Sequence, residues 1–184
     1  MGRTYGSGWT ARRTSGQRAL KLRRAVGAFA DETGSVPAAF QSDRSWRFEV
    51  SRNDLWERIS ATDDYPTWWP WLRSFDAGDP IEVGATWTCA VSPPLPYMVR
   101  FAIRFDRVEP GRLVDTTVTG DVEGTARLIL EDRPEGSSAR LVSALRPANP
   151  LLRGFGMVAR PLVEYGHDWI LDEGRRQFVE RAFP

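Results

Sequence analysis

His167 is the only histidine in the chain and Cys89 the only cysteine. An imidazole and a thiol are the side chains closest to acid–base and nucleophilic chemistry near neutral pH, so these two are weighed first. His167 stands beside Glu164, Tyr165 and Asp168, where an imidazole at a cavity mouth can serve as acid, base or hydrogen-bond donor. The heavier expectation is a histidine that anchors a helix to a sheet, because general acid–base work also needs a positioned substrate group. Asp115, Asp121 and Glu123 can bring carboxylates to one end of a sheet, but solvated turn and outer-face positions account for them better. Cys89 falls on the apolar side of a strand pattern and reads as a small core residue. No His-Glu-x-x-His or Cys-x-x-Cys occurs, so no metal is expected. A serine hydrolase would want Gly-x-Ser-x-Gly, which is absent. Two Gly-x-Gly-x-x-Ala strings occur, from Gly6 to Ala11 and from Gly154 to Ala159. The first follows no strand and the second precedes none, so dinucleotide binding fails on context. No cofactor and no catalytic residue are assigned.

The denser signal is aromatic. In Asp63-Asp64-Tyr65-Pro66-Thr67-Trp68-Trp69-Pro70-Trp71-Leu72, three of the eight tryptophans fall within four residues. Two prolines forbid a long helix or a central strand there, so the stretch must be a bent, short-helix connection. Its rings can line and lid a ligand cavity, fill an ordinary core, or anchor the protein at a membrane interface. Arg100, Arg104, Arg107 and Arg127 can form a basic patch, although neighbouring acids favour a solvated outer face.

Composition narrows the partners. Net charge is +1 over 184 residues. Residues 1–42 hold seven basic and two acidic side chains, a net +5, which leaves −4 for the remainder. A mildly acidic domain behind a basic arm is a weak case for nucleic acid, and none is expected. One cysteine cannot close an intrachain disulfide, which fits a reducing compartment. No apolar run approaches the roughly 20 residues that span a bilayer, and the N-terminus has no apolar signal core. A cytoplasmic protein is the expectation.

The elements follow from periodicity. Residues 1–42 read as a basic, flexible extension. Within it, 17–30 has the makings of a short amphipathic helix, which would allow transient contact with an anionic membrane surface; Gly27 weakens it. Residues 43–184 read as the domain. Strand alternation over 44–50 puts Trp46, Phe48 and Val50 on one side. Ser51 and Asp54 start a helix that ends near Ala61, and Asp64 is placed to cap a second, very short helix with Pro66 in its first turn. Strands are then expected over 72–77, 85–91, 97–108, 112–119, 122–131 and 138–146. The clearest is 97–108, where Tyr97, Val99, Phe101, Ile103 and Phe105 share one face. Links this short make the strands antiparallel. From about Leu151 to Phe183 the spacing is helical, about 45–48 Å if continuous, with a kink expected at Pro161.

This order of elements, together with Tyr65-Pro66-x-Trp68-Trp69-Pro70 and His167-Asp168-Trp169-Ile170-Leu171-x-x-Gly174, resembles the START-like helix-grip superfamily. The similar part, about 44–183, is nearest the bacterial polyketide cyclase/dehydrase and lipid-transport group known as SRPBCC. The resemblance implies an α+β helix-grip fold: a curved antiparallel sheet of six to seven strands wrapped around a long C-terminal helix, with two short helices after the first strand. It also implies a cavity between sheet and helix that binds or carries a lipid, sterol or polyketide-like molecule. Non-catalytic carriage is favoured; a cofactor-independent cyclase or dehydratase using the same cavity is the alternative. With such a cavity, the patterns turn Trp68, Trp69, Trp87, Phe101, Ile103, Phe105, Phe155, Val163 and His167 toward the ligand.

Overall fold

The computed structural model describes residues 40–94, 97–149 and 160–183. The remainder of the expected extension, including 17–30, lies outside them, as do Phe155 and the string Gly154–Ala159. Val163 belongs to a described helix, but its side chain does not belong to the description.

The chain builds strand β1 (Phe40–Phe48), helix α1 (Arg52–Ser60), a 3₁₀ turn (Thr62–Asp64) and helix α2 (Tyr65–Trp68). Strands β2 (Leu72–Asp76), β3 (Thr86–Val91), β4 (Val99–Glu109), β5 (Leu113–Gly120), β6 (Val122–Arg133) and β7 (Gly136–Pro147) follow, and then helix α3 (Arg160–Ala182). All seven strands join one sheet in the order β1-β7-β6-β5-β4-β3-β2. Every neighbouring pair is antiparallel. The sheet is a curled half-barrel, and with α3 and the two short helices it forms an α+β helix-grip fold.

Local chemistry explains the breaks. Ser51 caps α1 by accepting a 3.2 Å hydrogen bond from the Asp54 amide. Leu55, one turn on, is fully buried at 0% exposure. Asp64, expected as a side-chain cap for α2, makes no such bond. Instead the Thr67 hydroxyl donates to the Asp64 carbonyl at 2.7 Å. Pro66 does occupy the first turn of α2, where its missing donor costs nothing.

The first strand begins before the expected boundary at 42, since Phe40, Gln41 and Ser42 pair with Leu145, Ala144 and Ser143. In β4 the register shifts between Phe105 and Arg107. Asp106 and Arg107 are consequently both exposed. Val108 returns to the core side, where it packs with the buried cluster. The described part of α3 has 23 residues, about 34 Å of helix. Pro161 lies in its first described turn, so the expected kink falls at the edge of the described residues.

The core sits at one end of the sheet. Phe48, Leu55, Trp68, Leu130, Ala139 and Phe178 meet there with Ala182. The tryptophan stretch grips the C-terminal half of α3. The Trp69 indole donates to the Gly174 carbonyl at 2.9 Å, and the Trp71 indole donates to Gln177 Oε1 at 3.1 Å. Arg181 reaches back to the carbonyls of Thr67 at 2.5 Å and Trp68 at 2.6 Å. Glycine at 174 suits this grip, because a Cβ would lie 3.3 Å from Trp71 Cζ2.

Candidate ligand cavity

Away from that core, sheet and helix separate around a cavity of about 400 Å³. Strand alternation supplies most of its wall. From β4 come Val99, Phe101, Ile103 and Phe105, and from β3 Trp87 and Val91. From β5 come Val114, Thr116 and Val118, and from β6 Val122, Ala126 and Leu128. β7 adds Leu141, Ser143, Leu145 and Pro147. Gly166, His167, Ile170 and Leu171 of α3 close the other side. Ile59 and Tyr65 belong to the wall toward the core, and Pro93 and Tyr97 come from the segment between β3 and β4.

Among the residues expected to face ligand, Trp87, Phe101, Ile103, Phe105 and His167 line this space. Trp68 and Trp69 stand elsewhere. Trp68 is 5% exposed and packs edge-on against Phe178 with ring centres 5.4 Å apart. Trp69 stacks on Trp71 and spends its N–H on α3. For Trp69 the physical reason is donor satisfaction, since its half-buried indole N–H finds an acceptor on the helix backbone; Trp68 is held by packing against Phe178. Tyr65 is the residue of this stretch that does reach the cavity. Its ring contacts Trp68, Trp69, Phe75 and Trp87. The tyrosine-proline-tryptophan string is in the sequence, but ring spacing alone does not say which ring turns inward.

Most polar groups of the wall already have protein partners. The Tyr65 hydroxyl donates to the Ile59 carbonyl. Thr116 Oγ1 donates to the Ala126 carbonyl at 3.2 Å, and the Ser143 and Ser42 hydroxyls lie 3.3 Å apart. Trp87 donates its indole N–H to the Asp79 carbonyl at 2.9 Å. A wall so satisfied offers a ligand dispersion and desolvation more than hydrogen bonds.

His167 is the described wall residue whose ordinary titration range lies near neutral pH. Its side chain is 21% exposed, with Nδ1 3.7 Å from Asp168 Oδ1. That same oxygen lies 2.9 Å from Arg44 Nη2, which ties α3 to the edge strand β1. Burial holds the imidazole pKa below its usual 6.5; Asp168 pulls it upward and Arg44 adds to the depression. The unfolded chain therefore takes up this proton at a higher pH than the folded one. Stability should fall as pH drops from about 6.5 toward the lowered folded value, and this group adds no further change below that. Thermal melts between pH 7.5 and 5 test it. With no other histidine in the chain, His167→Gln should flatten this part of the profile; an unaltered slope in the variant refutes the assignment.

The other candidate groups point away from chemistry. Burial pushes the Cys89 thiol up to about 12, so it supplies no thiolate nucleophile. Arg127 Nη2 bonds Asp115 at 2.8 Å, and Arg146 pairs with Glu123 at 2.5 Å. Asp121 accepts bonds from Asn149 and the Arg100 amide, each at 2.8 Å, which hold its carboxyl below the usual range. None of these carboxylates lines the cavity. Arg104 and Arg107 pair with Asp106 and Glu109, so the suspected basic patch carries its own counterions. No cluster of metal-ligating side chains occurs among the described residues. No described helix is long and apolar enough to cross a membrane.

No family model matches the chain, and no curated protein matches it in sequence. Solved structures are similar in shape. TTHA0849 from Thermus thermophilus superposes with a TM-score of 0.63 at 12% identity, over 77% of this chain and 94% of that one. A conserved protein from Geobacillus kaustophilus gives 0.62 at 6% identity, over 78% and 95%. Ara h 8.0201 gives 0.54 at 12% identity, over 76% and 93%. The last has a Bet v 1-like helix-grip fold. At these identities the likeness establishes the architecture, and function must be argued from the cavity.

Proposed function

We propose that this protein binds a small hydrophobic molecule, lipid-, sterol- or polyketide-like, in the cavity between sheet and α3, and carries it without chemical change. One observation carries the reading: about 400 Å³ of space walled almost wholly by aliphatic and aromatic side chains, with most of the polar groups among them bonded within the protein. That volume falls in the range of small-molecule sites. A chain with a single cysteine fits action in the cytoplasm. A cyclase or dehydratase of the SRPBCC kind would need polar groups converging on the substrate, and among the described wall residues His167 is the one with acid–base capacity near neutral pH.

Mass spectrometry of molecules extracted from natively purified protein identifies what the cavity holds. Ligand at 100 times its dissociation constant should add about 2.7 kcal/mol to the folded state. For a domain of this size that raises the melting temperature by roughly 5–10 °C. Trp87 lies in the wall, so its emission should shift on binding. Apolar libraries that produce neither signal with ligand-free, folded protein would defeat the carrier reading. Turnover abolished by His167→Gln with binding retained would establish the enzyme instead.

A further inference from the structure

The charge on this molecule is arranged in two zones. The outer sheet face carries ion pairs, such as Arg104 with Asp106 and Arg127 with Asp115. Among the described residues lining the cavity there is no Asp, Glu, Lys or Arg. Arg44, on the inner edge of β1, is engaged by Asp168 at 2.9 Å and does not line the cavity. The ionisable side chains of the described wall are Tyr65, Tyr97 and His167. Burial favours the neutral form of each, raising both tyrosines and lowering the histidine. A ligand carboxylate, sulfate or ammonium would thus enter without a described counterion, and an unpaired ion in an apolar site is strongly disfavoured.

One polar group differs from its neighbours. Tyr65, Thr116 and Ser143 are bonded to protein. The Tyr97 hydroxyl has no hydrogen-bond partner among the described residues, and Tyr97 lines the cavity beside Pro93 and Val99. Register places it at the end remote from the core, since Val99 pairs with Val91, where β3 ends and β4 begins.

Resting on the reading of the cavity as a ligand site, we propose that it selects uncharged molecules: a hydrocarbon body with one neutral hydrogen-bonding end, such as an alcohol, ketone or ester, placed beside Tyr97. This sets it apart from a carrier of fatty acids, bile acids or other amphipathic anions. The ligand keeps its neutral end toward Tyr97, and its hydrocarbon body points toward Phe105 and Tyr65.

The test uses matched molecules on the full chain at pH 8, below their micellar concentrations. Straight-chain, sterol and polycyclic bodies are each offered as alcohol, methyl ester and anion, and binding is read by calorimetry and melting shift. At least one body should bind as alcohol or ester, with its anion at least about 100-fold weaker, equivalent to about 2.7 kcal/mol. Anion binding within about threefold of the alcohol overturns the selection while leaving the cavity a ligand site. Failure of every body in every form overturns the ligand site itself. Tyr97→Phe should weaken the alcohol by about 3- to 10-fold, the worth of one neutral hydrogen bond. It should leave the parent hydrocarbon unchanged. Equal affinity of the alcohol for wild type and variant overturns the placement beside Tyr97.

Discussion

Ala126→Trp yields a folded protein that has lost ligand binding by at least about 100-fold, with a melting temperature no lower than the parent's. Ala126 lies at the middle of the inner face, paired with Thr116 on one side and Ser143 on the other. It lines the cavity. An indole built there occupies the space a ligand needs and covers wall that is otherwise open. Covering apolar surface stabilises by about 25 cal/mol per Å². Were the region a filled core, the same substitution would overpack it at a cost of about 1–3 kcal/mol. The sign of the stability change therefore separates cavity from core even before any ligand is known. Ala139→Trp is the internal control. Ala139 is on the same sheet face but buried at 4% exposure within the core, and there the indole should destabilise. Calorimetric melts of both variants decide the matter. A stabilised Ala139→Trp beside a destabilised Ala126→Trp would invert the assignment of the two regions.

How much of this was legible in the sequence depended on how far apart the partners are. The wall of β4 is readable because the large apolar residues Val99, Phe101, Ile103 and Phe105 alternate with Arg100, Ala102 and Arg104. β3 was readable for the same reason. β5 to β7 were placed as strands, but their inner faces carry Thr116, Gly124 and Ser143 among the aliphatics, which blurs the pattern that says which side is in. The bulge after Phe105 leaves no residue signature in Asp106-Arg107. The tryptophans show the limit most clearly. Their density leaves cavity lining, core filling and membrane anchoring all open, and the cavity expectation for Trp68 and Trp69 does not hold, because Trp69 and Trp71 find their acceptors on Gly174 and Gln177, more than 100 residues later. Those partners are set by tertiary docking, which spacing cannot reveal. Gly174 stands in the helix motif of the sequence, but its role as the close-approach point for Trp71 exists only once the helix is docked.

That docking makes Phe178→Ala the substitution with the largest expected cost to stability. Phe178 is 7% exposed and meets four rings. Centre-to-centre distances are 5.4 Å to Trp68, 5.6 Å to Phe183, 6.1 Å to Phe48 and 6.4 Å to Trp69. It joins β1, the α2 connection and α3 in one cluster, so truncation removes contact area from all three at once. Phe→Ala in such a core costs about 3–5 kcal/mol. At about 2–4 °C per kcal/mol, the melting temperature should fall by roughly 6–20 °C. Ligand affinity should fall with it, because His167, Ile170 and Leu171 form the helical wall and are held in place through this grip on the same helix. Phe178→Leu keeps most of the volume and should recover most of both losses. The pairing of the two readouts is the point of the experiment. A protein that loses stability as expected but binds apolar ligand with undiminished affinity has a cavity wall independent of the tryptophan grip. One that loses neither has its helix held by contacts other than this aromatic cluster.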